Sequence, residues 1–396
     1  MNNCILIISA VYPPEPVVSA HLSSDLYKAL KGNGVEVKVM HPKPTRPNGF
    51  NFGQSISVGE DEIIVESYTC PQSSFVGRVR ESFSFGRSCS DYIRHHYEEI
   101  ACIYVNAWPL GSQYLIVKTA NKYSIPIAMH VQDVYPESLS NKLPSFWGCL
   151  FTASLLHMDK YILKNSNKVI TISEKVKDHL VKTRGIDEDK VTVVINWQDE
   201  SDFLEYQKVY VEPPHEKFSF MYLGNIGPVA GVDLLIDAFT FAEIDNARLV
   251  IAGSGSMKAM LIEKARFNHN VEFWDVPYGK VPEMQSKADV MLLPTKKGAA
   301  SSSIPSKLPA YMFSAKPIIG ALDEDSDTAN AIIESGCGVV VEPEDVGALA
   351  STMKEMAAKD RKELKLMGQK GIEYALARFS KESNMKKLIK AIKELI

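Results

Sequence analysis

The sequence lacks most of what would take it outside the class of globular α/β chains. No apolar run reaches the roughly 20 residues that a membrane-spanning helix needs. The nearest stretch, 147–163, contains His157, Asp159 and Lys160 and reads as an amphipathic helix. The six cysteines, Cys4, Cys70, Cys89, Cys102, Cys149 and Cys337, are scattered, with no CxxC pair and no zinc-ligand spacing. That excludes a disulfide framework and a zinc finger and fits a reducing cytoplasm, where most of these thiols are inert core groups. There is no basic excess either, since the formal net charge is -4, so bulk attraction to DNA or RNA is not expected. The run Cys4–Ala10 lacks a basic flank and a small-residue cleavage site, which predicts a buried strand and not a signal peptide. No internal low-complexity array is present.

What the chain does have is length and rhythm. At 396 residues, with 45% hydrophobic and 23% charged residues, it exceeds the roughly 250 to 300 residues at which single cores stop growing, so two domains are expected. Apolar strand-length runs alternate with amphipathic helix-length segments, the pattern of parallel sheets covered on both faces. The first half predicts strands near 4–10, 35–40, 63–68, 101–106, 125–131, 168–173 and 191–195. The second predicts them at 218–223, 248–252, 271–274, 289–293, 317–319 and 339–341. The expected domains are 1–204 and 205–379, both Rossmann-like, with the amphipathic helix 380–396 packing back on the first. Asp199 to His215, polar and containing Pro213-Pro214, reads as a hinge linker. The Pro-rich stretch from His41 to Gly59 reads as an ordered loop.

In doubly wound sheets ligands bind beyond the carboxyl ends of the strands, so the loops there carry the functional reading. Four stand out: Tyr12–Ala20, His130–Ser138, the glycine loop Gly224-Asn-Ile-Gly-Pro-Val-Ala-Gly231, and Ser302-Ser-Ile-Pro-Ser-Lys307. In the last, Ser303 to Lys307 are expected to open a helix with Pro305 near its first turn. Free N–H groups there would meet an anion and Lys307 would add a full charge. Glycines in the third loop would let backbone amides approach the same anion.

Together with Thr171-Ile-Ser-Glu174, Val194-Ile-Asn-Trp197, Ala252-Gly-Ser-Gly255 and Ala288-Asp-Val290, these loops resemble the family 4 retaining glycosyltransferases. Within that family they look most like the branch that builds bacterial capsule and O-antigen polysaccharides, N-acetylfucosamine transferases included. The resemblance implies a GT-B fold, two doubly wound domains facing a cleft, with a nucleotide-sugar donor on the second and the acceptor on the first. It implies no metal and no cofactor. Departing diphosphate would be held by Gly224, Asn225, Gly227, Ser303, Ile304, Ser306 and Lys307, with Lys307 stabilising the growing charge. Backbone groups beside Val276 would meet the uracil or guanine edge, although Trp274 before it is as readily a core residue. His130, Asp133 and Glu15 would serve the acceptor side. The competing readings are a satisfied histidine at a strand end for His130 and a helix or turn cap for Asp133.

The chain also departs from the family. Asn225 and Ala230 stand where many members carry Arg and Lys, and Ser302 and Ala310 where many carry two Glu residues, the second bonding the ribose. The expected activity is transfer of an N-acetylated hexose from a UDP-linked donor to a lipid-diphosphate-linked glycan, in the cytoplasm. Arg78, Arg80, Arg87 and Arg94-His-His96, with Phe146, Trp147 and Phe151, would give peripheral contact with an anionic inner membrane face; an ordinary solvated helix face is the alternative. A sugar-nucleotide epimerase of the same fold and a non-catalytic partner subunit are the rival functions.

Overall fold

The computed structural model describes residues 4–15, 17–45, 59–70, 75–106, 110–135, 137, 145–209, 217–277, 279–298 and 304–396, with the backbone alone over 145–152. Two compact units result, 1–196 with 384–396, and 197–383.

The first unit holds seven parallel strands: β1 (Cys4–Ser9), β2 (Val37–Pro42), β3 (Glu62–Val65), β4 (Ile100–Asn106), β5 (Ile127–Val131), β6 (Lys168–Thr171) and β7 (Val191–Val193). Their order is β3-β2-β1-β4-β5-β6-β7. Every residue of β1 and β5 is buried, as a parallel sheet covered on both faces requires. Its helices are α1 (Val18–Gly32), α2 (Phe75–His96), α3 (Leu110–Lys122), α4 (Ser145–Lys164) and α5 (Glu174–Arg184). The motif Thr171-Ile-Ser-Glu174 is the start of α5: Ser173 is its N-cap and accepts a hydrogen bond from Val176 N at 3.2 Å. The helix ends where Gly185 turns left-handed, at φ 62°.

The second unit repeats the plan with β8 (Phe218–Leu223), β9 (Ala247–Ala252), β10 (Val271–Trp274), β11 (Val290–Pro294), β12 (Ile318–Ala321) and β13 (Gly338–Val341), in the order β10-β9-β8-β11-β12-β13. The helices here are α6 (Ser201–Val209), α7 (Val232–Ala242), α8 (Lys258–Lys264), α9 (Val281–Ser286), α10 (Lys307–Phe313), α11 (Asp327–Ser335), α12 (Val346–Ala358) and α13 (Arg361–Arg378). Each sheet is doubly wound, with its switch points at β1/β4 and β8/β11, where ligands sit in such sheets.

The boundary between units differs from the expected 204/205, and the polar segment after Asp199 is not a linker through its length. Phe203 is 4% exposed and stacks toward Phe313 at 6.1 Å, while Gln207 donates to the Phe313 carbonyl at 2.6 Å. Apolar burial therefore makes α6 part of the second unit. The C-terminal helix α14 (Lys381–Lys393) crosses the other way. Its Asn384 accepts from Ile195 N at 3.2 Å and Lys168 pairs with Glu394 at 2.8 Å, so the first unit gains it from residue 384 and not from 380. Most of the stretch after His41 and the Pro213-Pro214 pair lie outside the described residues. Cys4, Cys89, Cys102 and Cys337 are buried thiols outside any disulfide, and Cys70 is buried as well. Burial pushes Cys4 and Cys337 up to about 11 and Cys102 to about 12, which removes thiolate reactivity.

Candidate functional site

In the second unit the chemistry gathers at the carboxyl ends of β8 and β11. The β8 strand runs on into Gly224, whose N–H donates to Ala252 O at 3.0 Å, and Ile226 N donates to Ser254 O at 2.8 Å. The glycine loop is thus laced to the β9–α8 loop, backbone against backbone. A Cβ on Gly253, at φ 133°, would overlap the Gly224 carbonyl, and one on Gly255, at φ 154°, would overlap Ile226. Neither position tolerates a side chain. At the far end, Lys296 N donates to Val229 O at 3.1 Å, fastening the loop after β11 to the same turn.

Lys307 lies across this platform. A Cβ added to Gly224 would overlap the Lys307 Cε and come within 3.0 Å of its Cδ. The missing side chain at 224 is therefore the trough in which the lysine rests. Its ammonium sits 5.1 Å from the centre of the buried Tyr222 ring, and Tyr222 in turn donates its O–H to the Asn225 carbonyl at 2.6 Å. Among the described residues no carboxylate pairs with Lys307, and burial lowers its pKa from the ordinary lysine value. A desolvated cation with no carboxylate partner among the described residues, beside close-approach glycine backbone, is chemically suited to accept an anion.

The helix opening differs from expectation. The helix α10 starts at Lys307, not Ser303, and the preceding turn is closed by Leu308 N donating to Pro305 O at 3.0 Å. Position 309 is a proline, so no N–H is available there to bond the Pro305 carbonyl and carry an α-helical turn back to residue 305. Ser306 caps with no side-chain hydrogen bond. Ser306 is exposed and Ile304 partly exposed, while Ser302 and Ser303 lie outside the described residues. Asn225 is exposed, and Gly227 starts a short 3-10 turn over Pro228–Ala230. Val276 follows β10 and is half-buried; the Trp274 indole N–H is spent on Glu272 at 2.9 Å, and its ring faces Arg248 at 5.2 Å. The Trp274 carbonyl accepts from Gly253 N at 3.0 Å.

Replacing Gly224 by Ala should leave the fold intact, because the atoms in its way are the flexible end of a lysine. It should displace Lys307 and, if the expected diphosphate binds here, weaken its binding about tenfold, the scale of one charge-assisted contact. Gly253→Ala, opposed by backbone, should instead lower the melting temperature. Binding of UDP measured beside thermal melts checks both.

In the first unit His130 is the penultimate residue of β5 and is 2% exposed. Burial holds its imidazole down at about 3, so it is neutral. The buried Tyr104 hydroxyl, also kept protonated by burial, lies 2.5 Å from His130 Nδ1. A neutral ring has one N–H; were it on Nδ1, the tyrosine proton would face no acceptor among the described groups. Tyr104 therefore donates to Nδ1, and Nε2 carries the proton. The Gln132 amide lies 3.0 Å from Nε2, and the Asn196 amide 2.9 Å from Gln132. Turning both amides gives Nε2–H an oxygen and gives Asn196 Oδ1, otherwise buried without a partner, a donor. The Val194-Ile-Asn-Trp197 motif thus ends in the residue that completes the histidine's network.

A small cavity of about 80 Å³ opens beside this network, lined by Ser19, Asn106, Gln113, His130 and Asp133. It has room for a water or a hydroxyl group, not a whole sugar. Asp133 is exposed and its carboxylate meets no donor among the described residues, so the capping alternative finds no support there. Glu15 is 3% exposed, and its two carboxylate oxygens accept Tyr12 N at 3.2 Å and Thr45 N at 2.8 Å. That makes it a brace of its loop. Because His130 is depressed below the ordinary 6.5, the folded state binds fewer protons than the unfolded one between 6.5 and about 3, and stability should fall as pH drops through that window. The 15N shifts of His130 should report the neutral Nε2–H form throughout physiological pH, and Tyr104→Phe should abolish the tautomer preference.

One residue that motif reading passes over is Arg184, 2% exposed. It holds Glu137 with two bonds of 2.7 Å, Asp159 at 2.6 Å and the Tyr135 carbonyl at 2.6 Å. Those contacts pin the segment that follows Asp133. The only sequence signal was a cation at the end of α5, indistinguishable from a solvated last-turn arginine.

Residues 22–201 match the family model described as Glycosyltransferase Family 4, and residues 217–359 that described as Glycosyl transferases group 1. The two unit folds therefore coincide with two glycosyltransferase domains, and the protein is a glycosyltransferase of the GT-B type. It is 24% identical to the putative colanic acid biosynthesis glycosyl transferase WcaI of Escherichia coli, over 89% of this chain and 91% of that one. It is likewise 24% identical to the probable glycosyltransferase WbjE of Pseudomonas aeruginosa, over 58% of this chain and 59% of that protein's length. Among solved structures, sucrose-phosphate synthase from Thermosynechococcus elongatus superposes with a TM-score of 0.72 at 16% identity, covering 99% of both chains. Anabaena HepE, solved in complex with UDP, does so at 0.65 and 13%, covering 98% of this chain and 99% of its own.

Proposed function

We propose that the protein transfers a sugar, an N-acetylated hexose, from a UDP-linked donor to a lipid-diphosphate-linked glycan during capsular or O-antigen-type polysaccharide synthesis, with retention at the anomeric carbon. The observation that carries this reading is Lys307: a desolvated ammonium, with no carboxylate partner among the described residues, laid over Gly224 at the switch point of the second sheet. The colanic acid assignment of WcaI and the UDP bound by HepE support the polysaccharide and the base.

In this reading the Lys307 ammonium and the amides of the glycine loop neutralise the diphosphate as the glycosidic bond breaks. The leaving phosphate accepts the acceptor's proton, so no opposed pair of carboxylates is required. Asp133 orients the acceptor hydroxyl or faces the developing oxocarbenium charge, and neutral His130, its two ring nitrogens engaged by Tyr104 and Gln132, holds the Gln132 amide beside the cavity and adds no charge. With Asn225 in place of a cation and Ala310 in place of the ribose-binding Glu, phosphate binding leans on Lys307. A thermal-shift panel of UDP, GDP, ADP and UDP-sugars tests the reading: UDP and its sugars should stabilise the protein, and slow donor hydrolysis should follow. Stabilisation without turnover under any acceptor would favour the non-catalytic subunit, a reading that Asn225, Ala230 and Ala310 motivate.

Peripheral membrane contact belongs to the same proposal, on a changed set of residues. Arg78 pairs with Glu81 at 2.9 Å, Arg94 with Asp91 at 2.7 Å, and Arg80 stacks on Tyr68 at 4.3 Å. The side chains of Phe146, Trp147 and Phe151 lie outside the described residues. Arg87 and Arg94 of α2 instead share a groove with Lys118 and Lys122 of α3. No described helix is long and apolar enough to cross a membrane. At roughly 1 kcal/mol per basic side chain near an anionic leaflet, this groove suffices for reversible binding. Cosedimentation with vesicles should rise with anionic-lipid content, fall with salt, and fall when Arg87, Lys118 and Lys122 become Gln.

A further inference from the structure

The second unit has another cavity, of about 440 Å³, at the opposite edge of its sheet. It is bordered by Asp289 and Pro317, the residues that precede β11 and β12, whereas the glycine loop and Lys307 lie beyond the strands' carboxyl ends. It is therefore separate from the donor site. Four cations line it, Lys316, Arg361, Lys362 and Lys365, against one carboxylate, Asp289, in a chain whose formal net charge is -4.

That carboxylate is already committed. Asp289 is 8% exposed; one oxygen accepts Ser219 N at 2.8 Å and the other accepts Arg361 Nη1 at 3.0 Å. The pairing holds Arg361 in place at the rim instead of cancelling the field of its neighbours. Lys362 and Lys365 have no carboxylate partner among the described residues. Below the cations the lining turns apolar, with Phe203 at 4% and Leu364 at 5% exposure. The cavity thus has a charged mouth and an apolar floor, drawn from α6, α9, the turn before β12, and α13.

We propose that this cavity binds a phosphate ester with an apolar body, its phosphate held by Arg361, Lys362 and Lys365 and its body resting on Phe203 and Leu364. Three cations lining one mouth, Arg361 held there by Asp289, suit a dianionic, many-acceptor group better than a single carboxylate. The volume falls within the range of small-molecule sites. An occupant would tie α6 and α13 together and so stabilise the folded unit by mass action.

Phenyl phosphate is the probe, titrated into the full chain by calorimetry with thermal melts alongside. Saturable binding with a Kd below about 1 mM and a rising melting temperature are expected. The double variant Lys362→Gln/Lys365→Gln, both exposed positions, should melt like the wild type without probe and bind about tenfold more weakly. The single reversal Lys365→Glu should do the same, and Lys307→Ala should bind the probe as the wild type does. The proposal is overturned by binding that does not saturate, by unchanged affinity in both lysine variants, or by loss of binding in Lys307→Ala, which would place the probe in the glycine loop. Inorganic phosphate binding as tightly as phenyl phosphate would overturn the apolar floor's role.

Discussion

Lys307→Met should make the free protein more stable and leave it almost inactive. The native ammonium is desolvated, half-covered by Gly224 and the Tyr222 ring, and lacks a carboxylate partner among the described residues. Its folded pKa lies below the unfolded one, so between those values the unfolded state binds more protons. Stability should therefore rise with pH through that window, and at neutral pH the charged lysine is a cost to folding. Methionine fills the same trough without the charge. Transfer should fall by a factor corresponding to roughly 2 to 4 kcal/mol of transition-state stabilisation, as expected for one preorganised electrostatic donor. The stabilisation that UDP gives the wild type should shrink with it. A variant that melts higher, yet gains little from UDP and turns over poorly, matches a phosphate-binding lysine. Lower apo stability with unchanged turnover would make Lys307 a packing residue.

The strands were legible because parallel sheets buried on both faces demand continuous apolar runs, and runs such as Phe218–Leu223 have no other use in a chain of this composition. Loop glycines were legible for a related reason, since a strand that ends in Gly and restarts as a helix needs close approach somewhere. What escaped was long-range pairing. Nothing local tells Arg184 from the other cations at the end of α5; its role exists only because α4 brings Asp159 and the loop after β5 brings Glu137 to it. Gln132 and Asn196 are equally silent, 64 positions apart and joined by one hydrogen bond. The segment after Asp199 misled for the opposite reason, because its polar surface resembles a linker while Phe203 alone carries the burial that makes it a helix. For Lys307 the sequence suggested a cation near a glycine loop, whereas its contact with Gly224 is a tertiary fact.

The second large effect is expected at Arg184. Replacing it by Leu should destabilise the protein by roughly 3 to 5 kcal/mol, because removing one member of a buried ionic cluster strands the others. Its side chain is 1% exposed and meets Glu137 and Asp159, whose own side chains are 43% and 8% exposed. Burial opposes the charge on Glu137, yet hydrogen bonds from Arg184 and His179 outweigh it and hold that carboxyl down at about 2. For Asp159 burial prevails over the pull of Arg184 and pushes it up to about 6. The two then titrate with opposite consequences. Glu137 contributes stability that is present above its ordinary 4.5 and lost as pH falls toward 2; Asp159 costs stability above 6, and that cost eases as pH falls from 6 toward 3.8. Without the guanidinium, Asp159 would be ionised at neutral pH only at greater expense, so the deficit of Arg184→Leu should be largest near neutrality and shrink as pH falls toward 4.5 and the carboxylates take up protons. Arg184→Lys should recover little, because an ammonium cannot reproduce the two-pronged contact with Glu137. Since Arg184 also holds the Tyr135 carbonyl, its loss should loosen the segment after Asp133 and depress transfer while UDP binding by the second unit persists. Denaturant unfolding of the variants at two pH values, with UDP binding measured beside turnover, separates these effects; a deficit below about 1 kcal/mol, independent of pH, would show that the cluster behaves as a solvated surface pair.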